Sequence, residues 1–409
     1  MALTLITHAH CSPALFGALA ASVAQLDDAP LMHLPADFKA TDGADTVQMV
    51  AAAGALVPSG LLWYERVTGR DVLPASSVDE IIDTASRDSV VVPWHPQFQD
   101  PALLDELLAK SDAEGIRVIH LTGRSVDGGW DVQTAQGQPT RYGHWGRDRL
   151  GRWGRAQDRL PVAPDRHRLT VVLIGAESDQ TDVYPATLAA LGDAADAAHI
   201  DLRVRFVSPV QLDTSQLASV TGIVLPGGSD MLNVPGQIEA ARTGLRGMIP
   251  TLGLCLGMQS MTTALAQGCP GLEDANMAEA APDAPIKSFS PMAGTPGLAE
   301  HRLGTQPLKF ADPAVAQHFQ THPTVRCNHR FSLDSALIAP LCAAGLEILA
   351  TDLTGQVVDA IEWPGHPFYK GMQGHPELGS RSGQAHPLIT DFLLAALATT
   401  GTTHPVLQP

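Results

Sequence analysis

The chain has 409 residues, of which 44% are hydrophobic and 17% charged. That length predicts two or three domains of about 100–200 residues each, and the apolar fraction excludes wholesale disorder. With 26 basic against 43 acidic residues, the formal charge is −17. This argues against broad nucleic-acid binding but not against a small anion in a local pocket.

The first segment alternates in type. Leu3–Thr7 has strand character and Pro13–Leu26 is an Ala-rich helix candidate. Ser89–Val92 is a second strand candidate, Asp100–Glu114 has helical periodicity, and Ile116–Leu121 is strand-like. Alternation of this kind predicts an α/β layer with a parallel sheet. Residues 141–168 change character. They hold Arg141, Arg147, Arg149, Arg152, Arg155, Arg159, Arg166 and Arg168 with Trp145 and Trp153, then reach Pro161 and Pro164. The expectation is a connector between two domains, with a local anion or partner site as the competing reading.

A second α/β unit begins at Leu169. Leu169–Gly175, Leu202–Val207, Gly222–Leu225 and Pro250–Leu254 are strand candidates. Tyr184–Ala198, Gln237–Met248, Gln259–Gln267 and Pro387–Leu397 are helix candidates. No repeat recurs at a fixed period. The predicted layout is 1–140 and 168–400 as α/β domains, 141–167 as connector and 401–409 as tail.

Five cysteines (Cys11, Cys255, Cys269, Cys327, Cys342) form no CxxC pair, which favours a reducing compartment. No basic residue precedes Lys39, so no signal-peptide n-region is expected, and no apolar run is long enough to span a bilayer. The expectation is a cytoplasmic protein without membrane contact.

The strongest local signal is Gly253-Leu254-Cys255-Leu256-Gly257-Met258-Gln259. An apolar strand runs into a glycine-flanked Cys and then into a helix, a cysteine version of the nucleophile elbow. The helix N-terminus favours a thiolate. A buried apolar Cys is the plain alternative. A thiol nucleophile needs a base and an orienting carboxylate. In Gln373-Gly374-His375-Pro376-Glu377, an extended backbone puts His375 and Glu377 on one side. Pro226-Gly227-Gly228 follows a strand and offers backbone N–H groups which, with that of Leu256, suit an oxyanion.

These residues resemble the class I glutamine amidotransferases of the Cys-His-Glu type, and within them the glutaminase domain of CTP synthase. The resemblance covers 168–400. It is carried by Leu225-Pro226-Gly227-Gly228 and its interval to Cys255, by Glu273–Glu279, by Arg302-Leu303-Gly304-Thr305-Gln306, by Cys327-Asn328-His329-Arg330-Phe331, and by Glu362–Phe368 leading to His375 and Glu377. It implies an α/β, flavodoxin-like fold and a glutaminase that releases ammonia. By position, Cys255 would be the nucleophile, His375 the proton shuttle and Glu377 its orienter. Gly228 and Leu256 would hold the oxyanion, and Gln259, Glu279 and Arg330 would join them in binding L-glutamine. Glutamine is a zwitterion and needs one carboxylate and one cation, and Arg suits a carboxylate bidentately. One departure is Ser229-Asp230, where the family usually has Phe-Gly.

Residues 1–125 resemble, in patches, the ATP-dependent amidoligase domain of CTP synthase, a P-loop-type fold. Trp63-Tyr64-Glu65-Arg66-Val67-Thr68-Gly69 is one such patch. Phe16 and His33 stand where that family has lysines, and Gly60 and Pro93 where it has magnesium carboxylates. A phosphate loop needs glycines and a Lys. The expectation is a degenerate, shortened synthetase domain with no cofactor, no metal and no ATP-driven amination. His8-Ala9-His10 has a metal reading, but no spacing nominates further ligands, and a polar loop is preferred. The ammonia acceptor or acceptor enzyme stays unidentified, and a homo-oligomer is expected from the resemblance alone. Two alternatives remain: a thiol amidase acting on another amide or γ-glutamyl conjugate, and a non-catalytic partner of a synthetase.

Overall fold

The computed structural model describes residues 1–38, 47–158, 163–294 and 296–401. Arg159, Pro161 and the tail 402–409 lie outside the described residues. The chain divides into two compact units. One holds Met1–Pro161 with Ser178–Ala189, and the other Val162–Glu177 with Ala190–Pro409.

The first unit is built on a six-stranded sheet in the order Val90–Trp94, Ala2–Thr7, Arg117–Val126, Gly129–Thr134, Pro139–Arg147, Trp153–Arg155. The first three strands are parallel, as the alternation predicts. The rest form an antiparallel meander that sequence reading did not anticipate. Its first turn is Asp127-Gly128, both at positive φ (44° and 74°). An Asp-Gly pair of this kind is the two-residue hairpin signal, and it continues the Ile116–Leu121 candidate to Val126 and back. The expected helix from Pro13 is interrupted at Gly17. A short turn at Pro13–Leu15 precedes the helix Ala18–Asp27.

The 141–167 connector is thereby corrected. Residues 139–147 and 153–155 are strands of the first sheet. The physical reason is burial of aromatic rings: Trp145 and Trp153 are both core residues, and the Trp153 indole N–H donates to the Ser22 hydroxyl at 2.9 Å. The arginines there are largely spent on partners within their own unit. Arg141 pairs with Asp27 at 2.5 Å, Arg147 with Asp182 at 3.1 Å and Arg152 with Asp148 at 2.8 Å.

The second unit has an eight-stranded sheet. Ile200–Val207, His167–Ile174, Ile223–Leu225, Thr251–Leu254 and Tyr369–Met372 are parallel neighbours in that order. Val358–Glu362, Glu347–Thr351 and Lys309–Phe310 extend the sheet antiparallel. Alternate side chains feed opposite faces, as the period of a strand requires. Val172 and Ile174 join one core with the helices Val234–Arg246 and Leu256–Gln267, while Val171 and Leu173 join the other with the helix Pro387–Ala398. Both units are therefore mixed α/β. Among the described residues no helix is long and apolar enough to cross a membrane.

Trp153→Ala tests the reassigned segment. Emptying a core site of this size costs about 3–5 kcal/mol, so the first unit's chemical denaturation midpoint should fall clearly. A midpoint unchanged within error would restore the connector reading.

Candidate active site

Three neighbouring parallel strands, Ile223–Leu225, Thr251–Leu254 and Tyr369–Met372, deliver their carboxyl ends to one place. That edge of an open α/β sheet is where ligands bind. Pro226-Gly227-Gly228, Cys255 and Gln373–Glu377 follow directly from these strands.

Cys255 stands between strand and helix at φ 50° and ψ −110°, a region an L-residue enters only under constraint. The constraint is visible. The Cys255 N–H donates to the Met372 carbonyl at 2.9 Å, and the Gln259 N–H donates to the Cys255 carbonyl at 3.1 Å. The flanking glycines have a different role from the one expected. Cys255 itself carries the left-handed turn, and the glycines permit close packing. A Cβ on Gly257 would sit 2.0 Å from the Leu225 carbonyl oxygen, and one on Gly253 would sit 2.4 Å from the Met261 sulfur. The helix can start hard against the sheet only because Gly257 lacks that atom. Its first N–H groups, Leu256 included, have no intrahelical partner and face the dipole's positive end.

His375 and Glu377 lie side by side. Both are buried, and the imidazole Nδ1 lies 2.7 Å from the Glu377 carboxylate. The His375 N–H donates to the Arg326 carbonyl at 2.7 Å, which fixes the ring's backbone to a neighbouring strand. Burial alone would lower the His375 pKa. The Cys255 sulfur, hydrogen-bonded to the ring, and the Glu377 carboxylate outweigh it and raise the pKa well above the ordinary value. The environment therefore favours the charged, imidazolium form of His375. Gly227 lies on this pair. A Cβ there would be 3.2 Å from His375 Cε1 and 3.3 Å from Cys255 Cβ.

The remaining candidates sit on the same framework. Gln259 is buried in the first turn after Cys255, and among the described residues its side-chain oxygen has no hydrogen-bond partner. Glu279 and Arg330 are electrostatic neighbours. Partial burial of the Glu279 carboxyl raises its pKa, and the Arg330 charge opposes this. The segments that carry them are tied together. The Ala278 N–H donates to the Phe289 carbonyl, and the strand Phe289–Pro291 pairs with Phe331–Leu333, next to Arg330. Ser229 and Asp230 are exposed, and Asp230 caps the turn Met231–Asn233.

Sequence reading missed the supports. The Gln237 side chain donates to the Pro226 carbonyl at 3.2 Å and accepts from the Ser260 hydroxyl at 2.9 Å, tying the glycine loop to the nucleophile helix. Arg302 and Asp359 form a buried bidentate pair at 2.6 and 3.0 Å. The Asp359 carbonyl accepts from the Gln373 N–H at 2.8 Å. His329 donates through Nδ1 to the Phe331 carbonyl at 3.0 Å and presents Nε2 to Arg302 at 3.3 Å. Burial, with the Arg302 charge, lowers its pKa to about 3. Cys327, His329 and Asp359 bring possible metal-donor atoms within 4.8 Å of one another, but Arg302 already occupies the Asp359 carboxylate and the His329 lone pair. The available clue was the Arg-Leu-Gly stretch, which names Arg302 but not its partner.

Residues 192–395 match the family model described as glutamine amidotransferase class-I. This segment is a class I glutamine amidotransferase domain. The chain is 32% identical over 259 residues to a CTP synthase of Nostoc punctiforme, covering 61% of this chain and 47% of that protein. It is 35% identical over 250 residues to a CTP synthase of Acidothermus cellulolyticus, covering 56% and 44%. The chain thus spans about half the length of the curated relatives it matches. Among solved structures, the glutaminase domain of Trypanosoma brucei CTPS with bound acivicin superposes with a TM-score of 0.52 at 26% identity, covering 58% of this chain and 96% of that one. The amidotransferase domain is accordingly CTP synthase-like.

Glu377→Gln should lower the His375 pKa, because it removes one of the two groups that oppose burial. Imidazole titration followed by NMR reads this directly. An unchanged titration would show that Glu377 does not act on the ring electrostatically.

Proposed function

We propose that the amidotransferase domain hydrolyses the side-chain amide of L-glutamine through Cys255, His375 and Glu377, and delivers the ammonia to an acceptor that this chain does not aminate by ATP-driven CTP synthesis. The observation that carries this reading is the hydrogen-bonded line from Cys255 to His375 to Glu377 at the carboxyl edge of the sheet.

The chemistry follows from the geometry. Cys255 Sγ attacks the amide carbon while its proton resides on His375. The negative oxygen of the tetrahedral intermediate accepts hydrogen bonds from the N–H groups of Gly228 and Leu256. His375 gives the proton to the departing nitrogen, the C–N bond breaks and ammonia leaves. Water, deprotonated by His375, then attacks the γ-glutamyl thioester, the C–S bond breaks and glutamate is released. Glu377 keeps the ring oriented and stabilises its charge. Arg330 pairs with the substrate's α-carboxylate and Glu279 with its α-ammonium, and the unpartnered Gln259 oxygen accepts from a substrate N–H.

The first unit supports the second half of the proposal. Phe16, where the resemblance places a phosphate-binding lysine, is buried 5.7 Å from the Phe38 ring. An apolar ring there supplies neither charge nor hydrogen bonds to a phosphate.

A second reading is an amide other than free glutamine, and the exposed Ser229-Asp230 at the end of the glycine loop favours it. Glutamate release from glutamine should be abolished in Cys255→Ala, and activity persisting in that variant sinks the proposal. Glu279→Ala and Arg330→Ala should each raise the KM for glutamine about 10-fold or more, the effect of losing a charge-assisted hydrogen bond of roughly 1.5–3 kcal/mol. If neither changes the KM, free glutamine is not the substrate.

A further inference from the structure

The motif His8-Ala9-His10 has no role in the glutaminase chemistry, and it lies in the first unit. It leaves the sheet at the carboxyl end of the strand Ala2–Thr7, where the His8 N–H donates to the Trp94 carbonyl at 3.1 Å. The adjacent parallel strand ends at Trp94 and is followed by His95. The ring centroids of His8 and His10 are 4.4 Å apart, and those of His10 and His95 are 4.7 Å apart. Trp130 meets His8 edge-on at 4.3 Å, and Phe98 stacks on His95 at 4.0 Å.

His95 is fully engaged. Its Nδ1 accepts from the Gln97 N–H at 3.2 Å, and its Nε2 lies 2.8 Å from the His10 carbonyl and 3.2 Å from the His10 backbone nitrogen. His95 thus holds the His10 backbone in place. His8 and His10 are different. All four of their ring nitrogens are buried without a well-formed hydrogen bond among the described residues, and the His10 ring has only the Ser12 backbone as a nearby hydrogen-bonding group that acts on its charge. Four such polar atoms in one spot depart from the rule that buried polar groups are satisfied, and such a departure points to an ion or ligand. Burial and the neighbouring His10 and His95 lower the His8 pKa far below its usual value. Burial, with His95, lowers that of His10 to about 3. Imidazole binds a metal through the lone pair of its neutral ring.

We propose that His8 and His10 form a binding site for a divalent d-block cation of the zinc or cobalt class, held at the carboxyl edge of the first unit's sheet and oriented by His95. Imidazole-only donors favour zinc, cobalt, nickel and copper, and disfavour magnesium and calcium, which demand oxygen ligands. The Trp130 and Phe98 rings line the site and limit solvent access, with the Arg147 charge within electrostatic reach of His10. Two protein ligands leave the other coordination positions open to water or to an exogenous ligand. The rival donor group, Cys327, His329 and Asp359, lies in the second unit and is already engaged by Arg302.

The test uses the full chain, stripped with a chelator and titrated with cobalt(II). The expected result is one equivalent bound, with visible d–d absorption typical of nitrogen ligation, displaced by zinc(II) but not by magnesium(II). His8→Asn and His10→Asn should each weaken binding by more than about 10-fold, whereas His318→Gln, a change at an exposed His paired to Asp391, should leave it unaltered. Circular dichroism melts establish that the variants fold. Should His8→Asn unfold, the less enclosed His10→Asn carries the test. No cobalt spectrum, or a binding curve that His10→Asn leaves unchanged, overturns the proposal. Binding that survives this change but is lost in Cys327→Ala overturns it in favour of the second-unit cluster.

Discussion

The backbone at Cys255 is the constraint on which the amidotransferase domain is organised. A residue at φ 50° and ψ −110° costs of order 1–3 kcal/mol, so its surroundings must hold it there. They do so from three directions. The Met372 carbonyl takes the Cys255 N–H from the next strand, the helix takes its carbonyl, and Gly257 lets that helix start against Leu225. Each contact belongs to a different element, so the thiol's position reports the registration of the whole parallel sheet. Moving the helix outward by the width of one methyl group would pull Cys255 away from His375.

The base side of the site is held by comparable means. His375 and Glu377 lie in a turn, and turns have few contacts of their own. The Arg326 carbonyl anchors the His375 backbone, and Arg302–Asp359 lies behind it, with the Asp359 carbonyl gripping Gln373. A buried ion pair is not in itself strong stabilisation, yet breaking one by removing a partner costs about 3–5 kcal/mol. The pair thus resists rearrangement more than it adds net stability. His329, neutral and satisfied at both nitrogens, completes this layer. The result is a rigid cradle for a histidine whose own charge is stabilised from the opposite side.

The first unit uses charge and aromatic rings differently. Its arginines saturate nearby carboxylates at the surface, where such pairs contribute little each. Trp145 and Trp153 are buried, and Trp153 ties the meander to the helix Ala18–Asp27. At the carboxyl edge of its sheet, His8, His10 and His95 lie among the rings of Trp130 and Phe98.

The sequence alone determined the site's chemical vocabulary. Gly253 to Gln259, Pro226 to Gly228, and His375 with Glu377 were legible because strand-turn-helix junctions and i, i+2 spacing are local properties. The parallel strands and most helices were legible for the same reason, with boundaries shifted by a few residues. Asp127-Gly128 is also a local signal, but which strands its hairpin joins to the sheet is decided by packing. What only the tertiary structure decided is long-range. It made Trp153 a core residue, paired Arg302 with Asp359, placed Gln237 under Pro226, and brought the rings of His8, His10 and His95 together. It also changed the meaning of Gly257. The sequence offered a flexible turn, whereas packing shows a missing Cβ beside a carbonyl oxygen from a strand more than 30 residues earlier. Pairings across such distances depend on which surfaces the sheet brings together, and no window of sequence contains that information.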